Sequence, residues 1–250
     1  MKFFLAPMQG LTGYIVRNAF HHHFDYIDKY YTPFIPAAKR MNAKIKRDID
    51  PVNNDGITLI PQAMSIVADE VIDLHRQLVP YGYDEINVNL GCPSGTVVSK
   101  KRGSGILAYP DMLDSFLDEL YTKADFPVSI KTRVGFNDDE LWPKLIEIYS
   151  KYPISELTVH PRVQKDFYKN TPRMDDFALA VQKINPDKTI LCYNGDITDT
   201  NSFNALTDCF PDIDEIMIGR GLFANPALIA ELKGISMDKA ELRERLKNWH

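Results

Sequence analysis

Short runs of apolar, β-branched and aromatic residues recur along this chain, each followed by a longer stretch whose apolar positions fall three and four apart. The runs at 3–6, 29–32, 58–61, 84–88, 128–131, 156–159, 189–192 and 215–218 predict strands. Between them, 67–78, 110–123, 140–151 and 177–184 carry helical spacing. Regular alternation of strand and helical crossover implies a parallel sheet. Eight strands within 250 residues fit a closed (β/α)₈ TIM barrel, an α/β fold of about 250 residues. A doubly wound open sheet is the alternative, and the count of eight favours the barrel. Pro33 and Pro36 crowd the end of the second strand, and residues 36–56 predict a long, mobile, basic loop. The pattern assigns 1–233 to one barrel. It leaves 234–250, a charged helical run with sparse apolar positions, which is almost nothing for a second domain.

Composition narrows the setting. With 44% apolar and 25% charged residues the chain reads as an ordinary globular protein. No apolar stretch approaches the roughly 18 residues that span a bilayer, and residues 1–9 lack a signal-peptide pattern. Three cysteines at unrelated spacings argue against a disulfide framework and for a reducing compartment, so a cytoplasmic location is expected. Cys192 falls in a predicted strand and reads as core; Cys209 receives no role. The run His21–His23 sits at the end of the first helix, and no metal site is expected. A net charge of −5 does not announce a nucleic-acid binder. The basic residues are nonetheless clustered, with Lys39, Arg40, Lys44, Lys46 and Arg47 in one group and Lys100, Lys101 and Arg102 in another. Charge alone leaves open whether these are solvated loops or a phosphate-binding face.

Chemistry in such barrels sits at the carboxyl ends of the strands. Just past the predicted strands stand Pro7-Met8-Gln9, Gln62, Asn89 to Cys92, Lys131 and Arg133, His160 and Arg162, Asn194-Gly195-Asp196, and Gly219-Arg220. Seven of the eight strand ends thus carry polar, basic or glycine residues, more than chance placement explains. Glycines after the last two strands let backbone N–H groups approach a phosphate. Gln62 and Asn89 can hydrogen-bond the edge of a planar ring. Together with Lys131 and His160 they suggest an anionic cofactor across the barrel mouth. Cys92 lies in a glycine-rich, proline-held loop where a thiol can face a ligand.

The motifs A-P-M-Q-G-L-T at 6–12, N-L-G-C-P-S at 89–94 and V-S-I-K-T-R at 128–133 resemble those of the tRNA-dihydrouridine synthases. L-T-V-H-P-R at 157–162, N-G-D-I at 194–197 and I-G-R-G at 218–221 continue the match in the family's order. The segment G-C-P-S-G-T-V is similar to the C-type bacterial branch. The resemblance implies an FMN enzyme that reduces the C5=C6 bond of a uridine in tRNA, with NADPH as reductant. It implies FMN contacts from Pro7, Met8, Gln9, Gln62, Lys131 and His160, and phosphate contacts from Asn194, Gly195, Asp196, Gly219 and Arg220. Lys131 would favour the reduced, anionic flavin. A hydride from flavin N5 would reach uracil C6, with Cys92 as the general acid protonating C5; that role needs a neutral thiol. Asn89 would hold the uracil edge and Arg162 would meet the base or a phosphate. Lys100, Lys101 and Arg102 would contact the tRNA backbone, helped by the 39–47 group. No membrane and no obligate protein partner are implied.

Three departures qualify the match. Gly95 stands where many members have a lysine, a contact that Lys100 or Lys101 would replace. Pro161 follows His160 where glycine is usual. Only about 25 residues follow Pro226, where members usually append a helical tRNA-gripping domain. The expectation is either a truncated chain or a short variant relying on the barrel, folding and binding FMN but holding tRNA poorly. Two rival readings remain. One is an FMN barrel acting on a free pyrimidine, similar to dihydroorotate dehydrogenase; the other is a non-catalytic RNA-binding relative.

Overall fold

The computed structural model describes residues 1–37 and 40–249. Ten short strands pair in parallel: β1 (Lys2–Leu5), β2 (Lys29–Tyr31), β3 (Ile35–Pro36), β4 (Leu59–Ile60), β5 (Gln62–Met64), β6 (Ile86–Leu90), β7 (Val128–Gly135), β8 (Glu156–Val163), β9 (Ile190–Tyr193) and β10 (Glu215–Ile218). Their order is β3-β5-β6-β7-β8-β9-β10-β1-β2-β4. β2 pairs with β4 and β3 with β5. Pro61 alone separates β4 from β5, so the two ends of that order meet in one pair of interrupted strands. The sheet therefore curls into a barrel with eight strand positions. Pro61 cannot donate to the ladder, which breaks the strand there. Its carbonyl still accepts from the Asn87 N–H at 2.9 Å.

The helices are α1 (Tyr14–His23), α2 (Ala43–Ile49), α3 (Ala68–Leu78), α4 (Gly95–Val98), α5 (Pro110–Lys123), α6 (Trp142–Tyr149), α7 (Met174–Lys183), α8 (Thr200–Cys209), α9 (Arg220–Ala224), α10 (Leu228–Leu232) and α11 (Lys239–Trp249). The long loop expected over 36–56 is instead partly helical, although Lys39 lies outside the described residues. Asn42 caps α2 by accepting from the Ile45 N–H at 2.9 Å, and Asp50 opens a 3₁₀ turn over Pro51–Asn53. Arg17 of α1, fully buried, then ties the segment down. Its guanidinium donates to Asn54 Oδ1, to the Asp48 carboxylate and carbonyl, and to the Thr12 carbonyl. A helix held by one buried arginine and two caps needs few apolar positions, so periodicity did not register it.

Several strands outrun their apolar patterns. β6 reaches Leu90, β7 Gly135 and β8 Val163, so Asn89, Lys131, Arg133, His160 and Arg162 lie within strands rather than beyond them. Gln62 likewise opens β5. Alternate residues of a strand face opposite sides of the sheet, and here the barrel's upper interior is polar, so the apolar run stops before the strand does. One core lies between strands and helices, with Val88, Ile130, Leu157, Leu117, Trp142 and Phe177 fully buried. A smaller group, Phe4, Ala6, Tyr31, Ile60, Cys192 and Met217, clusters separately. α11 leans on α1, where Arg245 donates to the His23 carbonyl at 2.7 Å.

A buried carboxylate layer lies at the strands' amino ends. Glu156 accepts from Lys29 Nζ at 2.7 Å, the Tyr31 hydroxyl at 2.8 Å and the Thr158 hydroxyl at 2.8 Å. Burial, and then the charge of Glu156, pushes the Glu215 carboxyl up. Glu85 is raised by burial and by the same neighbour. Burial opposes the charge on Lys29, but Glu156 outweighs it and the ammonium is held on more tightly than usual. A carboxyl raised on folding costs stability at neutral pH and is relieved as pH falls. Lys29→Met, which removes this counter-charge, should therefore lower stability at pH 8 by about 3 kcal/mol, the low end for a broken buried pair. The deficit should shrink toward pH 5 in urea denaturation followed at both pH values.

Candidate active site

A cavity of about 540 Å³ opens at the carboxyl ends of the strands, a size suited to a small ligand or cofactor. Inside the barrel a chain of side-chain amides crosses the sheet. Asn89 Nδ2 donates to Gln62 Oε1 at 2.7 Å, Gln62 Nε2 to Asn87 Oδ1 at 2.8 Å, and Asn87 Nδ2 to the Ser129 hydroxyl at 3.0 Å. Gln62 and Asn89 thus reach the cavity already oriented. Most of Asn89 is spent, since its Oδ1 also accepts from the N–H groups of Gly91 at 3.1 Å and Cys92 at 2.9 Å.

That carboxamide holds one side of the cysteine loop; the other is clamped by residues 103 and 104. The Cys92 carbonyl accepts from the Ser104 N–H at 3.1 Å and the Ser104 hydroxyl at 2.8 Å. Gly103 lies at φ +55°, and a Cβ there would stand 2.8 Å from the Cys92 oxygen, so glycine is needed twice over. Arg133 Nε donates to the Gly91 carbonyl at 3.0 Å and Gln164 to the Pro93 carbonyl at 2.9 Å. The half-buried Cys92 thiol lines the cavity. Burial pushes its pKa up against the Ser94 N–H, Arg133 and Lys131, which pull it down. The outcome is a thiol that keeps its proton at neutral pH.

Beside it the lining is cationic. Lys131 makes no hydrogen bond or ion pair with any described residue. Burial, reinforced by Arg133, brings its pKa down to about 7. His160 is held well below the usual imidazole range by burial and then by the charges of Arg133, Lys131, Arg162 and Arg220. Arg162 does not line the cavity. It is buried, lies 3.2 Å from His160 Nε2, and donates to both oxygens of Asp196 and to the carbonyls of Lys169 and Asn170. No donor remains for a substrate. Asp196 also accepts from Arg220 at 2.7 Å; burial pushes its carboxyl up, but the two guanidiniums hold it below the usual range.

The remaining wall is backbone. Asn194 anchors β9 to β10 through the Met217 carbonyl at 2.6 Å. A Cβ on Gly195 would fall 1.9 Å from the Tyr193 hydroxyl, so any other residue would have to displace that ring. The N–H groups of Gly195, Asp196 and Ile197 donate to no described residue, and these residues line the cavity. Gly219 and Arg220 face them from the end of β10. Pro7, Met8 and Gln9 supply the lip, in a turn closed by the Thr12 hydroxyl on the Met8 N–H at 2.9 Å.

The basic trio lies apart from this cavity. Lys100 is exposed, Lys101 sits 4.3 Å from the Tyr109 ring centre, and Arg102 pairs with Glu70 at 3.1 Å. Lys44, Lys46 and Arg47 are exposed on α2 without an ion pair among the described residues, and Asp48 fastens that helix to the Tyr14 N–H at 2.7 Å. Sequence reasoning gave no role to Phe34, Phe167 or Tyr168, all on the lining, nor a site role to Arg133. Arg133 follows Lys131 by two on one strand, a same-face signal that was readable. Tyr168 was not, since its ring is placed by Arg133 and Arg220, whose guanidiniums lie 5.8 and 5.1 Å from it.

The model of the dihydrouridine synthase family matches residues 4–249. A probable tRNA-dihydrouridine synthase of Staphylococcus aureus is 27% identical over 237 residues, covering 90% of this chain and 69% of that protein. A tRNA-dihydrouridine synthase B of Pasteurella multocida is 26% identical over 243 residues, covering 94% and 69%. Among solved structures, morphinone reductase superposes with a TM-score of 0.62 at 11% identity, over 96% of this chain and 88% of that one. A 3-hexulose-6-phosphate synthase from Salmonella typhimurium gives 0.56 at 14% identity over the whole of both chains. These two share the barrel fold.

The clamped loop makes a measurable statement about the thiol. In a Cys209→Ser background, which removes the exposed cysteine, iodoacetamide should alkylate Cys92 slowly at pH 7, with its half-rate point above the ordinary thiol value of about 8.5. Asn89→Ala, by releasing the loop to water, should move that point down and speed alkylation at pH 8.

Proposed function

The chain belongs to the dihydrouridine synthase family, and from that premise we propose that it reduces the C5=C6 bond of a uridine in tRNA, using FMN with NADPH as the reductant. Dependence on a flavin is general to the family. The cavity fits such a group on its own evidence. It holds a half-buried ammonium with no partner among the described residues, backbone N–H groups at 195–197 that none of those residues uses, and a volume of about 540 Å³. Gly195, Asp196, Gly219 and Arg220 would hold a phosphate, with the Asp196 carboxylate bridging arginines and its backbone facing the anion. Pro7, Met8, Gln9, Gln62, Lys131 and His160 would contact the rest, and Asn194 would keep the two strand ends together. When bound, FMN supplies the two-electron redox centre that NADPH refills and that delivers hydride to C6 of the base.

Cys92 supplies the remaining proton, to C5. The observation that carries this reading is the Cys92 thiol on the cavity wall, in a loop clamped by Asn89 and Ser104. A nucleophilic cysteine is marked by a depressed pKa, whereas Cys92 is pushed the other way. Asn89 positions the cysteine loop and keeps one amide hydrogen for the base. Lys131, with a pKa of about 7, charges fully when an anion settles beside it, which stabilises negative charge on the reduced cofactor. Arg133 and Tyr168 complete the mouth into which an unstacked uridine would be drawn, at a cost of a few kcal/mol. Contacts to the tRNA backbone would offset that cost. The exposed Lys44, Lys46 and Arg47 of α2 suit this role with Lys100, while Lys101 and Arg102 are already engaged. Residues 234–250 would begin the helical tRNA-binding region.

The reading is tested on tRNA lacking dihydrouridine. With FMN and NADPH the protein should add two hydrogen atoms to a uridine, read by mass spectrometry of nucleosides. Cys92→Ala should retain FMN and tRNA binding but lose about 10²–10⁴-fold in rate, the usual worth of a positioned acid. Protein that takes up no flavin, or that turns over free uracil as well as tRNA, would defeat the proposal. Affinity for tRNA should fall log-linearly with salt, and Lys44→Ala or Lys46→Ala should each reduce the slope by about 0.7–0.9. Filter binding across a salt series checks this.

A further inference from the structure

The structure assigns Arg162 a positioning role: it fixes His160 as a neutral imidazole with its proton on Nδ1, giving the cavity a permanent, uncharged hydrogen-bond donor. The two residues stand two positions apart in β8, where the register against β7 shifts between His160 and Val163. A guanidinium has five N–H donors and no acceptor, and it does not deprotonate. All five hydrogens of Arg162 are directed at acceptors. Nε meets the carbonyls of Lys169 and Asn170 at 3.0 and 3.2 Å. One terminal nitrogen meets Asn170 O at 2.6 Å and Asp196 Oδ2 at 2.5 Å. The other meets Asp196 Oδ1 at 3.0 Å and His160 Nε2 at 3.2 Å.

The last contact is attractive only if Nε2 offers a lone pair. A proton on Nε2 would set N–H against N–H inside a buried site. Four of the arginine's five hydrogens are pinned elsewhere, so the ring must adapt to Arg162 and not the reverse. The proton therefore sits on Nδ1, which has no partner among the described residues, and His160 lines the cavity. The charges acting on the ring leave no other state. Arg133, Arg162 and Arg220 are permanent cations and Lys131, with a pKa of about 7, is charged over the acid part of the range where the ring would otherwise take up a proton, and both oxygens of Asp196, the carboxylate bonded to the same guanidinium, are taken by arginines.

The ligand atom meeting Nδ1–H must be an acceptor. On the reading above, which the inference uses only for this naming, it is a carbonyl or phosphate oxygen of FMN. A donor that never becomes a cation adds no charge to the cavity, so the ligand's charge is answered by Lys131 and the lining arginines, Arg133 and Arg220, and not by His160.

The test uses protein labelled with ¹⁵N-histidine, without cofactor, in two-bond ¹H–¹⁵N correlation spectra. His160 is assigned from the signal lost in His160→Gln. Wild-type His160 should show a pyrrole-type Nδ1 and a pyridine-type Nε2, unchanged between about pH 5.5 and 8.5, a range that spans the ordinary imidazole titration. Arg162→Met should give exchange-averaged tautomers, and Arg162→Lys, which retains a cation, should restore much of the wild-type pattern. A wild-type proton on Nε2, or titration near the ordinary value, would overturn the role even if Arg162→Met fails to fold. So would a folded Arg162→Met variant with the wild-type pattern. FMN uptake, read separately by visible absorption, keeps the two ideas apart. A protein with the expected tautomer and no affinity for flavin retains this role and loses the proposed function.

Discussion

A charge buried inside a closed sheet has to be answered, because desolvating an unpaired ion costs several kcal/mol. At the amino end of this barrel the answer is internal: Lys29 meets Glu156, which also gathers two hydroxyls. Below the mouth it is internal again, where Arg162 and Arg220 share Asp196. Arg133 finds only carbonyls, and Lys131, half-buried on the cavity wall, has no partner at all among the described residues, so the ammonium gives up part of its charge instead. The fold thus concentrates its unsatisfied positive potential at one point of one cavity. The rest of the site is arranged around that point.

Two kinds of rigidity surround it. The first is side chain on side chain, running from Ser129 through Asn87, Gln62 and Asn89, each amide consuming its neighbour's hydrogen-bonding capacity. The second is backbone clamping of the cysteine loop between Asn89 and Ser104, with Gly103 pressed against the cysteine itself. Both cost stability to assemble, since each polar group must leave water and find a partner. Both leave Gln62, Asn89 and Cys92 in fixed places on the cavity wall.

The same accounting changes the meaning of residues picked out from the sequence. Pro7 to Gln9, Gln62, Asn89, Cys92, Lys131, His160, Asn194 to Asp196, Gly219 and Arg220 converge on one cavity, as strand ends in a barrel should. Arg162 looks from the sequence like a cation for a substrate, yet five acceptors claim it from within the protein. Lys101 and Arg102 look like phosphate contacts, yet an aromatic ring and Glu70 hold them. Conversely, the basic stretch after Pro36 looks like a loop, and the caps at Asn42 and Asp50 make it a helix that presents its cations together. A count of charges is readable in one dimension; whether a charge is already paired is not.

The strand–helix period, the eight strand positions and the rim on which the chemistry falls were all written in the sequence, because each depends on patterns only a few residues long. Side-chain alternation and glycine punctuation act locally, so they survive being read without a partner strand. Where the strands end, that Pro61 splits one of them, that Tyr168 closes the mouth and that Arg162 serves His160 were decided by the tertiary structure. The placing of Tyr168 and of Arg162 rests on contacts with Arg220 and Asp196, residues distant in the chain, and the energy of such a contact exists only once the barrel has closed.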